Sequence, residues 1–343
     1  MPELITNSLQ AAPQFDDSKP LQSRANTVLL MIGNKNITRR DALKSILGTA
    51  ALSVVAATLG MPSLSATSEK KTRRAILYFT GTGNSLHIAR ELADENTEIL
   101  SIPQLMRKGN LEITADEIGI VYPVYGHMPP NMVRRFIQQA KLSADYKFAV
   151  LTYGNLCANA AELWNEVSRK AGQNFDYIAT ILMVDNWLPD FDMNEQIKLD
   201  KHIPENLARI KSEISERKTW VEPSTEQDRM MHDYFMQYAG LDPEVGFLKR
   251  SEKTFVITDA CIGCEVCKDL CPRGNFRIDP DGVHVSGDCE FCFSCIQNCP
   301  QKAIQFAVSD DPLLNHGELN PNARYRNENV SLMDIRLANS QHL

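Results

Sequence analysis

Eight of the nine cysteines in this 343-residue chain fall between Cys261 and Cys299. They form one string used twice: Cys261-Ile-Gly-Cys264-Glu-Val-Cys267-Lys-Asp-Leu-Cys271-Pro272, then Cys289-Glu-Phe-Cys292-Phe-Ser-Cys295-Ile-Gln-Asn-Cys299-Pro300. Every cysteine of the first string recurs 28 residues later, and two apolar positions keep the same offset, Phe276 with Ile304 and Ile278 with Phe306. A uniform offset shared by thiols and packing residues reads as an internal duplication. So dense a set of thiols limits what the segment can fold around. Disulfides between cysteines two or three residues apart would be strained and would close no long loop. Zinc takes four tetrahedral ligands from two C-x2-C pairs, which leaves the third C-x2 step and the repeated Cys-Pro without a use.

A pair of [4Fe-4S] cubanes uses all eight. Three thiolates at two-residue gaps wrap one face of a cube, while the fourth cysteine of each string points away and serves the other cluster. One cluster then takes Cys261, Cys264, Cys267 and Cys299; the other takes Cys289, Cys292, Cys295 and Cys271. Proline after the last cysteine offers no N–H and turns the chain off the cluster. From about Glu252 to Ala307 the sequence resembles the bacterial two-cluster ferredoxins, with all eight ligands in place.

Arg74 onward reads differently. Short apolar runs at Ala75–Phe79, Glu98–Ile102, Ile118–Val124, Phe148–Tyr153 and Tyr177–Val184 alternate with helical stretches such as Ser85–Ala93 and Met132–Ala140. That is the βαβ order of a doubly wound, five-stranded parallel sheet with helices on both faces. The first strand runs into Thr80-Gly81-Thr82-Gly83-Asn84-Ser85 and then a helix. Leu86 occupies the position where a dinucleotide fingerprint needs its last glycine, and no Walker lysine is present. What remains is a nest of hydroxyls and backbone N–H groups at a helix N-terminus, suited to a phosphate monoester. The string is similar to the flavodoxin phosphate loop, with Ser85 where that family often has Thr. The resemblance implies FMN, its phosphate on Thr80–Ser85 and its ring between the loops after the third and fourth strands, Tyr125-Gly126 and Gly154-Asn155. His127 reads as a satisfied loop histidine, Cys157 as a structural thiol and Trp187 as core or rim packing. No paired acid and base or Ser-His-Asp set emerges.

The segments divide into a leader (1–37), a signal-like stretch (38–68), the flavodoxin-like domain (74–190), a helical bridge (191–250), the ferredoxin domain (251–308) and a polar tail (309–343) that wraps over the surface. In the bridge, Leu207, Ile210 and Ile214 repeat at helical spacing, as do Met231, Tyr234, Phe235 and Tyr238. This order, with Ala323-Arg324-Tyr325-Arg326 in the tail, resembles the flavodoxin–ferredoxin fusions of anaerobic bacteria, the EFR family ferredoxins. The resemblance implies electron transfer to a partner redox protein of unspecified identity, with a flavin exchanging electrons in pairs and the clusters one at a time. The competing expectations are a flavin enzyme with its own small substrate and a ferredoxin on an empty flavodoxin-like scaffold. Lys and Arg number 36 against 43 Asp and Glu, a net charge of −7 that argues against a nucleic-acid partner.

Thr38-Arg39-Arg40-Asp41-Ala42-Leu43-Lys44 is similar to a twin-arginine export motif, with Ala42 in place of the usual Phe. Ser45–Ser68 carries no charge, and Ser63-Leu64-Ser65-Ala66 offers small residues for cleavage. The resemblance implies passage through twin-arginine export machinery to the periplasm, the alternatives being an uncleaved membrane anchor or a cytoplasmic protein. A start at Met31 in place of Met1 would give a normal basic lead-in.

Overall fold

The first strand of the structure, a computed structural model, shows how sequence builds the main layer. In β1 (Arg74–Tyr78) and the residue after it, Ala75, Leu77 and Phe79 face one side, and Ile76 and Tyr78 face the other. A strand buried on both faces needs parallel neighbours covered by helices. They are β2 (Thr97–Ser101) and β3 (Glu117–Pro123), which flank β1, followed by β4 (Tyr146–Tyr153) and β5 (Tyr177–Leu182). All pairings are parallel, and the strand order 2-1-3-4-5 is that of a flavodoxin-like sheet. A sixth, two-residue strand, β6 (Trp220–Val221), extends the far edge beyond the five expected.

Helices α1 (Asn84–Glu91), α2 (Ile102–Lys108), α3 (Asn131–Gln139) and α4 (Ala160–Lys170) follow the strands in turn. The last three bury Ile102, Phe136 and Trp164 on one face of the sheet. On the other face lie α1 and α5 (Ile203–Ser215), whose Leu207, Ile210 and Ile214 are buried. Part of the expected bridge is therefore integral to the sheet domain, and only α6 (Glu226–Ala239) leads onward.

The ferredoxin segment folds as two similar halves. In the first, α7 (Val266–Leu270) precedes β7 (Phe276–Asp279); in the second, α8 (Ser294–Asn298) precedes β9 (Ile304–Phe306), all at the 28-residue offset. Strand β7 pairs antiparallel with β8 (Gly282–Val285), and β9 with Phe255–Ile257. The backbone repeats as well. Gly263, Glu265 and Gly274 adopt positive φ, and so do their counterparts Phe291, Phe293 and Lys302.

The tail differs from its sequence-based reading. Helix α9 (Leu332–Asn339) is capped by Ser331 and Asp334 and joins the second sheet face, where Val330, Ile335 and Ala338 are buried. Long-range hydrogen bonds also draw it inward: Ser101 Oγ donates to Ala338 O at 2.5 Å and Gln104 Nε2 to Ser340 O at 2.7 Å.

The structure describes residues 72–242, 249–285 and 287–342, with side chains for all of these except 249–252 and 288. They belong to one compact unit, residues 69–343. The leader and the signal-like stretch lie outside the described residues. Among the described residues no helix is long and apolar enough to cross a membrane.

Candidate functional site

The eight clustered cysteines line two cavities, four to each. Cys261, Cys264, Cys267 and Cys299 share one with Ile257, Ile262 and Ile304. Cys271, Cys289, Cys292 and Cys295 share the other with Phe255, Phe276 and Phe293. Each cavity thus takes three cysteines from one half and the last cysteine of the other. The positive-φ pattern explains how: left-handed residues after Cys261 and Cys264, and after Cys289 and Cys292, curl each C-x2-C-x2-C run around its cavity. Backbone N–H groups then address the sulfurs. Asn275 N donates to Cys271 Sγ at 3.4 Å and Ala303 N to Cys299 Sγ at 3.3 Å, two equivalent bonds in the duplicated halves. Phe291 N donates to Cys289 Sγ at 3.3 Å.

The donor set fits an iron–sulfur cluster. Burial, with Cys264, Cys299 and Cys261 nearby, pushes the free Cys267 thiol up to about 12, and burial with Cys271 nearby does the same for Cys289. Sulfurs so placed carry negative charge only against a cationic core, which a [4Fe-4S] centre supplies. Among the described residues no group of three or more His, Cys, Asp or Glu converges as a single-ion site, so each set of four thiols surrounds a volume rather than a point.

The two cavities differ in exposure. At the first, Cys264 is exposed and Ile262 is 65% exposed. At the second, Cys271, Cys292 and Cys295 are buried, and Cys295 lies near enough to feel Cys267 of the first. Phe255, Phe276 and Phe293 line the inner cavity, and Trp187, Phe291 and Phe306 pack around Phe293 with ring centroids 5.0 to 5.3 Å away. Trp187 is packing, as expected, and its Nε1 donates to Asp190 at 2.8 Å. Glu290, between two ligands, reaches out of the motif. Its carboxylate accepts from Met132 N in the first turn of α3 at 3.0 Å and faces Arg273 Nη1 at 3.3 Å. Helix α3 has no side-chain cap of its own, so the ferredoxin half supplies one.

The hydroxyl loop is occupied by protein. Thr80, Thr82 and Ser85 are at most 2% exposed. Thr80 Oγ1 accepts from Gly83 N at 3.1 Å, Thr82 Oγ1 from Asn186 Nδ2 at 2.7 Å, and Ser85 Oγ bonds Thr152 Oγ1 at 2.8 Å. Asn84 Oδ1 accepts from Tyr325 OH at 2.6 Å and Asn327 Nδ2 at 3.2 Å, and Asn84 Nδ2 donates to Val184 O at 3.0 Å. Asn339 Nδ2 donates to Thr80 O at 3.0 Å. The two glycines admit chain, where a phosphate was expected. A methyl group on Gly81 would strike the Cys292 carbonyl oxygen, and one on Gly83 would sit 2.9 Å from Val330 Cβ. As it stands the loop does not fit FMN, because chain from Cys292, Asn327 and Val330 lies against Gly81, Thr82 and Gly83, the backbone that would wrap the phosphate.

Of the expected ring-flanking residues, Tyr125 and Gly154 pack against protein. Tyr125 is half-buried, lies beside Cys292, Glu290 and Cys289, and stands edge-on to Phe79. Gly126 takes positive φ in the same turn, Gly154 packs on Asp185, and Asn155 is exposed. His127 corrects its reading: it is buried against His232 and Phe235, and its Nδ1 has no hydrogen-bond partner. Burial and His232 lower it to about 4. Cys157 is the structural thiol expected, pushed up to about 11 by burial and Glu222. Sequence reasoning did not single out Glu290, Arg273, Phe291, Phe293 or Asn327, and it named Tyr325 only as part of the tail string. Aligning the halves exposes one signal it left unused, Phe291 and Phe293 standing where the first half has Gly263 and Glu265.

A flavodoxin-like sheet joined to a segment holding two four-cysteine cavities defines an iron–sulfur protein of the ferredoxin class. Residues 253–300 match the 4Fe-4S dicluster domain, and the chain belongs, through this segment, to the dicluster ferredoxins. An uncharacterized ferredoxin of Methanocaldococcus jannaschii is 36% identical over 55 residues, 15% of this chain and 71% of its own length. One polypeptide of the anaerobic dimethyl sulfoxide reductase of Escherichia coli is 29% identical over 85 residues, 22% of this chain. This chain spans 41% of that relative's length. Among solved structures, a flavoprotein in complex with FMN from Lactobacillus acidophilus aligns at 15% identity and TM-score 0.24, over 32% of this chain and 93% of its own. The Trp repressor binding protein from Bacillus subtilis aligns at 10% identity and TM-score 0.28, over 40% and 96%. The assignment of the sheet rests on its strand order.

Proposed function

We propose that this chain is an electron-transfer protein that serves a partner redox enzyme through two [4Fe-4S] clusters. The observation that carries the reading is the pair of adjacent four-thiol cavities, one open to solvent and one walled by aromatic rings. When bound, each cluster supplies a centre that takes up and gives back one electron. Around those centres the chain does three things. Cys261, Cys264, Cys267 and Cys299 hold the outer one where a partner reaches it. Phe255, Phe276 and Phe293 exclude water from the inner one, and the N–H groups of Asn275, Phe291 and Ala303 set the electron density on its sulfurs and on those of its neighbour. The relatives' membership of reductase complexes supports a protein partner.

A second reading adds FMN on Thr80–Ser85. It is favoured by the loop string and by the N-terminus of α1, which has no side-chain cap. Against it stands the protein packing of every hydroxyl in the loop. Anaerobic isolation with iron, sulfide and flavin quantified on one sample tests the proposal. Two clusters per chain with reversible bleaching support it; stoichiometric zinc without sulfide ends it.

We propose also that Thr38–Lys44 directs twin-arginine export of the folded, cluster-loaded chain. Cell fractionation of wild type and Arg39→Lys/Arg40→Lys tests this: export of the wild type alone supports it, and equal cytoplasmic retention of both refutes it.

A further inference from the structure

In open sheets of this strand order, a ligand occupies the crevice beyond the carboxyl ends of the first and third strands. Here the loops that follow those strands, Thr80–Ser85 and Tyr125–Met128, close on another part of the same chain. Gly81 faces the carbonyl of Cys292, Tyr125 lies beside Cys292 and Cys289, and α3 takes its N-terminal cap from Glu290. On the other flank, Asn84 is held by Tyr325 and Asn327, Thr82 O accepts from Asn327 N at 2.9 Å, and Gly83 meets Val330. The tail is stitched in turn to the ferredoxin half. Arg324 Nε donates to Ile296 O at 2.9 Å, Tyr325 N to Gln297 Oε1 at 2.7 Å and Arg326 Nη1 to Asn298 Oδ1 at 3.2 Å. Loop, inner ligand run and tail form one continuous hydrogen-bonded seat.

We infer that the Thr80–Ser85 loop of this chain is the docking seat of its own inner cluster segment and no longer a flavin-phosphate site, with Gly81 as a positioning residue for the Cys292 ligand. The physical reason is the missing Cβ: only glycine leaves room for the Cys292 carbonyl, so the backbone that carries a cluster ligand is set by a residue more than 200 positions upstream. The inference goes beyond the carrier reading and rests on it for the presence of the inner cluster.

The test uses the full-length, cluster-loaded chain, with iron and sulfide counted first. Gly81→Ala should shift one of the two cluster reduction potentials and change the EPR spectrum of the reduced protein, while the other potential stays. Unchanged potentials and spectrum in a folded, fully loaded variant would overturn the positioning role. An FMN titration followed by flavin fluorescence should show no saturable binding to wild type. It should show none to Tyr325→Phe either, which removes the hydroxyl donated to Asn84 and leaves the cluster segment untouched. Stoichiometric FMN binding by wild type would overturn the seat assignment, and binding gained only in Tyr325→Phe would show a flavin site masked by the tail, which also overturns it. A wild type without a second cluster would instead reject the carrier reading, so the two failures are separable.

Discussion

If the tail is part of the core, truncating one of its inward side chains should cost far more than truncating an outward one two residues away. Ile335 is 0% exposed in the sheet-face cluster with Leu86, Ile76 and Val330, whereas Leu337, on the same helix, is 59% exposed. The site cannot easily collapse around a smaller residue, because α9 is pinned at both ends. Arg90 pairs with Asp334 at 2.5 Å, Arg336 with Asp269 at 2.6 Å, and Ser101 bonds the Ala338 carbonyl. Ile335→Ala should therefore cost about 3 kcal/mol, near the middle of the range for large-to-small core changes. Leu337→Ala should stay within about 0.5 kcal/mol. At roughly 2 to 4 °C per kcal/mol for a domain of this size, the first variant should lower the unfolding midpoint by roughly 6 to 12 °C and the second by less than about 2 °C. Thermal unfolding of the anaerobic, cluster-loaded protein followed by far-ultraviolet circular dichroism measures both. Equal shifts for the two variants would refute the inward placement of α9.

Ligand exchange makes a pairing prediction: Cys299→Ser and Cys264→Ser should leave the same residual spectrum, since both strike the outer cavity, and Cys271→Ser should match Cys292→Ser. A match of Cys299→Ser with Cys292→Ser would reject the exchange. The raised Cys157 thiol, at about 11, should alkylate at pH 8 roughly 100-fold more slowly than a free thiol. Because the folded state holds that proton more tightly, the stability it contributes is lost as pH rises from the ordinary thiol range toward 11; alkylation at the rate of a free thiol would contradict this.

How much of this was legible depended on how local the encoding was. The cluster ligands could be read because three cysteines at two-residue gaps carry their chemistry within a dozen residues. The central strands could be read because two-sided burial writes continuous apolar runs such as Ala75–Phe79. Strand β6 was too short to leave a pattern, and its placement follows from α5 returning the chain to the sheet edge. The tail was misread because its burial is secured by polar groups, Tyr325, Asn327 and Asn339, whose partners lie at the other end of the chain. Nothing in their own neighbourhood separates a polar residue that meets water from one that meets Asn84. The same limit explains the hydroxyl loop. Thr80–Ser85 specifies a turn with inward-facing oxygens, and the string says nothing about what those oxygens touch.

The closure of that loop also has a history in time. Asn84 and Thr80 wait for partners 241 to 259 positions later in the chain. At a synthesis rate of roughly 5 to 20 residues per second, the interval is roughly 12 to 50 s. The last strand of the sheet, Trp220–Val221, is made more than 100 residues before Tyr325, so for the latter part of that period the strands are complete while the first loop stands open to water. The thiol runs emerge into the same interval, before the last helix is released to lock them down. Any metal loading during synthesis would meet the inner cavity unsealed, and a nascent chain halted before Tyr325 would hold it in that receptive state.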